Sequence, residues 1–217
     1  MPAPFPSTLD HVVLAGPDLA EAVAHVEALT GVRAAPGGAH PTGTANHLVA
    51  FTVHGERVPH YLEVIGPNPE TGARAEDVET FGISGRTAPG VATFAVHPDD
   101  IDATASAAEA AGVRVGPVSP LSRRTPDGTL LEWRLTRGEG RDPDPAVPFL
   151  IDWGSTPQPG LSDLPTLELL ELRVEHPDAE ALAEKYRALG VDIVPEPGDA
   201  VALVLVVQGP DGPVELR

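Results

Sequence analysis

Cysteine is absent from all 217 residues. That removes disulfide staples, zinc–thiolate sites and cysteine nucleophiles at a stroke. Lysine is nearly absent: Lys185 stands alone, and arginine supplies the remainder of 14 basic residues against 32 acidic ones, for a net charge of −18. A field of that sign repels phosphate backbones, which excludes nucleic acid as a partner. Long apolar runs are missing too, since none approaches the ~18 residues that a membrane-spanning helix needs. The opening "MPAPFPSTL" has neither the basic nor the apolar segment of a secretory signal, so a cytoplasmic protein without a membrane partner is expected. No G-x-S-x-G occurs, which sets aside a hydrolase built on a serine elbow. Aromatic residues make up only 4%, so each one beside a polar cluster is informative.

What is present is the composition of a globular protein, 41% hydrophobic and 21% charged. The length suits one sizeable domain or several small modules around a shared core. An internal repeat decides between them. "LDHVVLAGPDLAEAVAHVEALTGV" (9–32), "GVATFAVHPDDIDATASAAEAAGV" (90–113) and "LLELRVEHPDAEALAEKYRALGV" (169–191) each run from an alternating strand through Pro-Asp into an Ala-rich helix that ends in Gly-Val. Asp18, Asp99 and Asp178 are placed to cap helix N-termini, with Glu21 in capping-box position after Asp18. Gly31, Gly112 and Gly190 suit left-handed C-caps. Strand-like runs follow each helix: "NHLVAFTV" and "HYLEVIG", then "VRVGPVSP", "TLLEWRLT" and "PFLIDWG", then "VDIVP", "AVALVLVVQ" and "PVELR". The turns between them are marked by "PDG", "PGD" and "GPDG". The reading is an α+β fold of repeated βαβββ modules forming curved mixed sheets around a cavity. Two modules (7–66 and 90–154) pair within residues 1–154, and a third, partial module (166–217) packs on them. Residues 67–89 and 154–165 read as linkers.

The set "LDHVVLAGPDL", "GGAHPTGTANHL", "YLEVIG", "SRRTPDGTLLEWRL" and "PFLIDWG" falls in order from residue 9 to 154. It resembles the vicinal oxygen chelate superfamily, which includes glyoxalase I, extradiol dioxygenases and bleomycin-resistance proteins, and more narrowly the glyoxalase-like domain proteins. The resemblance implies metal ligands on the first and last strands of each module. His11 and Glu63 match those places in the first module. Imidazole and carboxylate donors together suit Fe(II), Mn(II), Ni(II), Co(II) or Zn(II). The repeat sets Ala92 and Glu171 opposite His11, so the second module lacks a first-strand ligand. Asp152 or Glu132 could take its last-strand place, while Glu171 and Glu215 are the third module's offer. Asp152 is the expected third ligand.

Other residues point to a small-molecule substrate. A carboxylate between Leu62 and Val64 must find a partner or a cavity, and Glu63 doubles as the candidate general base. The Gly-rich "PGGAHPTGTANHL" leads into a strand without a nucleotide-loop signature. The resemblance puts it at the cavity rim, with His40, Thr44 and Asn46 as substrate contacts and Thr42 as a turn cap. Arg123 and Arg124 are either partners of surface acids or a guanidinium fork for a carboxylate or phosphate. Trp133 and Trp153 belong to the core, with Trp133 a candidate for the pocket wall. Two functions stay open. One is a metal-dependent lyase, isomerase or dioxygenase acting on an oxygen-rich metabolite. The other is a metal-free protein that sequesters a small molecule in the same cavity. A homodimer is the candidate assembly.

Overall fold

The computed structural model describes residues 3–125, 127–138 and 140–217; Pro126 of the expected "PDG" turn lies outside them. The first unit comprises β1 (Leu9–Ala15), α1 (Leu19–Thr30), β2 (Ala35–Ala39), β3 (Thr44–Val53) and β4 (Glu56–Pro67). The second comprises β5 (Gly90–Val96), α2 (Ile101–Ala110), β6 (Val118–Arg124), β7 (Leu130–Thr136) and β8 (Phe149–Asp152). The third comprises β9 (Thr166–His176), α3 (Ala179–Leu189), β10 (Glu196–Pro197), β11 (Ala202–Gly209) and β12 (Gly212–Leu216).

Local chemistry starts and stops the helices much as read. The Asp18 carboxylate accepts from the Glu21 backbone N–H and the Asp178 carboxylate from that of Ala181, while Gly31 and Gly190 close α1 and α3 in the left-handed region. The second helix departs from expectation by one residue. Its cap is Asp100, which accepts from the N–H groups of Asp102 and Ala103. "HPDD" offers two adjacent carboxylates, and only the second lies where the free N–H groups converge.

Units one and two close into a barrel. The ladder runs β4–β1–β5–β8–β7–β6–β2–β3, and pairing of β3 with β4 joins its ends. Within each unit the last strand lies parallel to the first, and β1 pairs antiparallel with β5 to join the halves. Alternation then sorts side chains into two cores. Val12, Leu14, Val49, Phe51, Leu62 and Val64 point outward, where Leu19, Ala22, Val23 and Val26 of α1 cover them. Val13, Ala15, Leu48, Tyr61 and Ile65 point inward, with Trp133, Phe149 and Ile151 from the other half. Residues between these on the same faces, His11 and Glu63 among them, therefore face the interior.

The third unit is joined edge-on to this barrel. One edge of β3 pairs with β2 along residues 45–48 and with β9 along residues 50–52. Its internal order is not that of the other two, because β11 rather than the last strand sits beside β9. Its β11–β12 sheet packs against α1, whose Leu19, Ala22, Val23 and Val26 are buried.

Close approach of α1 to the barrel depends on a missing side chain. A Cβ at Gly66 on β4 would stand 2.9 Å from both Cα and N of Leu19. Gly66→Ala is expected to lift the start of α1 and lower stability by about 1–3 kcal/mol, read from the denaturant midpoint. An unchanged midpoint would mean that the helix yields freely.

Candidate functional site

The barrel encloses a cavity of about 760 Å³ lined from both halves. Its most polar wall belongs to the first unit. His11 on β1 lies beside Tyr61 on β4 in the parallel ladder, and their rings stack at 4.6 Å with 19° between planes. Two residues on, Glu63 shares Tyr61's face of β4. The His11 Nε2 and a Glu63 carboxylate oxygen stand 3.7 Å apart. The other Glu63 oxygen accepts from Asn46 Nδ2 at 2.5 Å, and His40 Nε2 lies 4.0 Å from it. The Thr44 side-chain oxygen meets His40 Nδ1 at 3.0 Å. His11, His40, Thr44, Asn46 and Glu63 thus converge from β1, β3, β4 and the turn before β3. Thr42, expected only as a turn cap, also reaches the cavity.

Behind His11 sits Asp10, fully buried. Its carboxylate accepts from His11 Nδ1 at 2.7 Å, Trp153 Nε1 at 3.0 Å and Gln158 Nε2 at 2.8 Å, and faces His97 Nδ1 at 3.5 Å. Adjacent strand residues normally point apart, but the β1–β5 register shifts between Leu9 and His11. Asp10 is the extra residue of that bulge, a feature that re-aims side chains. Burial by itself raises the Asp10 pKa; the hydrogen bonds from His11, His97 and Gln158 outweigh it and hold the carboxyl well below the usual carboxylate range. An ionised Asp10 holds a proton on His11 Nδ1 and turns Nε2 toward Glu63. Burial pushes the His40 pKa down, so that imidazole is neutral. Burial, together with the Asp10 and Glu63 charges, pushes the Tyr61 phenol up, so it stays protonated.

The second unit supplies a different wall. Trp133 meets His40 edge-on at 6.3 Å and Phe149 meets His11 at 5.4 Å. Arg123 on β6 is 5% exposed and donates to the Gly37 carbonyl. A Cβ at Gly38 would crowd the Arg124 carbonyl and lie 3.1 Å from the Arg123 Nη1. One at Gly37 would run into the Asn46 side chain, so the paired glycines leave room for both site residues. The stretch 67–89, expected as a mere linker, folds over the cavity and contributes Glu79, Thr80 and Phe81 to its lining.

Several expected site residues lie elsewhere. Alternation along β8 turns Phe149 and Ile151 inward and Asp152 outward, where it binds Arg134 at 2.9 Å and the Gly154 N–H at 2.8 Å. Asp152 therefore does not join His11 and Glu63. Arg124 and Glu132 point outward for the same reason, Arg124 donating to the Gly128 carbonyl. Glu171 and Glu215 both pair with Arg173 on the outer face of the third unit. Conversely, Asp10 and Tyr61 escaped the sequence reading. A charged residue beside His11 in an apolar strand, and an aromatic two residues before Glu63, were the available signals.

Whether these residues fit a divalent metal follows from the two halves. The His11 Nε2 and Glu63 are suitable donors, and Asp10 behind Nδ1 is the kind of partner that a metal-bound imidazole keeps. On the other half, Phe149 and Ile151 stand where Tyr61 and Glu63 stand on β4, and Ala95 faces His11 across the β1–β5 ladder. Ala92, matched to His11 by the repeat, is likewise buried without a donor. Among the described residues no three His, Asp or Glu side chains are arranged to hold a metal ion. The donor set does not fit a closed metal shell.

Comparisons with known proteins agree with this architecture. No protein of curated function matches the chain. A hypothetical protein from Staphylococcus aureus superposes with a TM-score of 0.58 at 16% identity, over 95% of this chain and 83% of that one. A 4-hydroxymandelate synthase mutant from Streptomyces coelicolor gives 0.54 at 19%, over 98% of this chain and 61% of that one. A Streptomyces coelicolor methylmalonyl-CoA epimerase, in complex with 2-nitronate-propionyl-CoA, gives 0.45 at 21%, over 67% and 96% respectively. At these identities the likeness is one of fold. Residues 9–190 match the glyoxalase-like domain family, and with most of its length inside that match the chain belongs to this family.

Proposed function

We propose that the cavity binds a small carbonyl-bearing carboxylate and moves a proton at the carbon next to the carbonyl, without a metal. The observation that carries this reading is the His11–Glu63 pair, anchored by buried Asp10 and facing Trp133, Phe149 and Ile151 across the cavity. In the proposed step the Glu63 carboxylate takes the proton. The C–H electron pair forms the carbon–carbon double bond of an enolate while the carbonyl π pair moves onto oxygen. With the Thr44 hydroxyl donating to His40 Nδ1, the His40 Nε2–H is a neutral donor for that oxygen. The proton returns to the same carbon, from Glu63 directly or relayed through His11 on the neighbouring side. The net result is exchange at that carbon, and inversion where it is stereogenic. Arg123 would hold the substrate carboxylate.

A panel of 2-oxo acids in deuterated buffer, followed by NMR, tests the proposal. Exchange of the C3 protons above the buffer rate, unchanged by EDTA and strongly slowed by Glu63→Gln, is the expected result. Exchange that stops on chelation and returns with a transition metal would restore the metal-dependent reading. Binding without any exchange would favour sequestration, a reading that the aromatic wall of Trp133, Phe149 and Phe81 also supports.

A further inference from the structure

In a chain with 32 acidic residues, a cation facing inward without a carboxylate partner is conspicuous. Arg123 is one such cation, already assigned to the substrate. Arg141, in the connection between β7 and β8, is another. It lines the same cavity, and its Cζ lies 5.9 Å from the centroid of the Phe149 ring. Since Phe149 also meets His11 at 5.4 Å, a single aromatic ring separates this guanidinium from the proposed proton-transfer pair. The Arg141 Nη2 donates to the Val147 carbonyl at 2.7 Å, and Nε is buried without a partner. The nearest acids in sequence are engaged elsewhere. Asp142 is bound by Lys185 at 2.7 Å and Asp144 faces His176 at 3.0 Å. Among the described residues neither Arg123 nor Arg141 has a carboxylate within ion-pair distance. Three lining acids oppose an anion here, Glu63, Asp142 and the exposed rim residue Glu79, and Lys185 neutralises Asp142.

Withdrawing a cation from solvent without a counter-charge is costly, and two such cations lining one cavity call for two anionic groups on one ligand. We propose that Arg141 is a second anion anchor, so that the substrate is a short dicarboxylate, its ends held by Arg123 and Arg141 and its reacting carbon between them at Glu63. This rests on the proton-transfer reading for the position of the reacting carbon, but not for the anchoring itself.

Calorimetric titration with butyrate, succinate, glutarate and adipate tests the anchor. At least one dicarboxylate should bind wild-type protein about 10- to 100-fold more tightly than butyrate, the gain expected of one added charge-assisted contact. Arg141→Gln should reduce that dicarboxylate to the butyrate level and leave butyrate itself within about two-fold, whereas Arg123→Gln should weaken both. Arg141→Lys should keep part of the preference. Equal binding of butyrate and every dicarboxylate by the wild type overturns the proposal without recourse to any variant. So does an Arg141→Gln protein that keeps the full preference. Failure of the proton-transfer reading looks different: the dicarboxylate preference persists, but no exchange accompanies it.

Discussion

Glu63→Gln is expected to slow the exchange of 2-oxo acid protons by a factor on the order of 10²–10⁴, the range that a positioned general base supplies. Affinity for the same acids should change little. The amide matches the carboxylate in shape and keeps an oxygen for Asn46 Nδ2, which donates to Glu63 at 2.5 Å in the native site. What the variant loses is the capacity to take a proton. The decisive comparison is therefore exchange rate against calorimetric affinity. A Glu63→Gln protein that exchanges at the native rate removes Glu63 from the base role. One that loses affinity in proportion to rate makes Glu63 a binding group instead.

The largest stability effect is expected at Asp10. Asp10→Ala removes the acceptor shared by His11, Trp153, Gln158 and His97 from a fully buried position. Its loss should cost roughly 3–5 kcal/mol, as for other buried charge partners, and about 10 °C of Tm in a chain of this size. Asp10→Asn keeps an acceptor but not the charge and should lose less. The pH dependence has a definite sign. The folded carboxyl is held well below its ordinary value of 3.8, so its contribution is fully present above that pH and is lost as pH falls below it and through the lowered folded value. His97 works the other way. Its hydrogen bond to Asp10 raises its pKa above 6.5, so that contribution is present below 6.5 and is lost as pH rises through the raised value. NMR titration should show His97 returning toward its ordinary value in Asp10→Asn. An acid-unfolding limb shared by wild type and Asp10→Ala would contradict this account.

The strand–helix units were legible because caps and apolar alternation are local. Pro-Asp before each helix and Gly after it marked boundaries that hold to within a residue, the two shifts both falling on α2, with Asp100 in place of Asp99 and Ala111 in place of Gly112. His11 and Glu63 were legible for a related reason, since a polar residue on the inward phase of an apolar strand has nowhere to point but the interior. Phase also explains what failed. Asp152 lies one residue out of step with Phe149 and Ile151, a distinction that needs the register of β8 against β5. The bulge that turns Asp10 toward His11 arises from pairing between strands about eighty residues apart, so nothing near Asp10 in sequence announces it. The cover formed by residues 67–89 has no period at all. Its buried Val78 and Ile83 are held by tertiary contacts over short 3₁₀ turns, and its Pro, Gly and acidic content reads as a tether.

The unequal halves of the barrel have a practical consequence. Acid–base groups reside on β1, β3 and β4, while shape and positive charge on the opposite wall come from β6 through β8 and the connection carrying Arg141. Ligand choice and reactivity are thus written on separate segments of chain. A library confined to positions 117–151 would retune what the cavity accepts while leaving the proton-handling wall untouched, which makes this scaffold one whose selectivity can be redesigned by exchanging a single half.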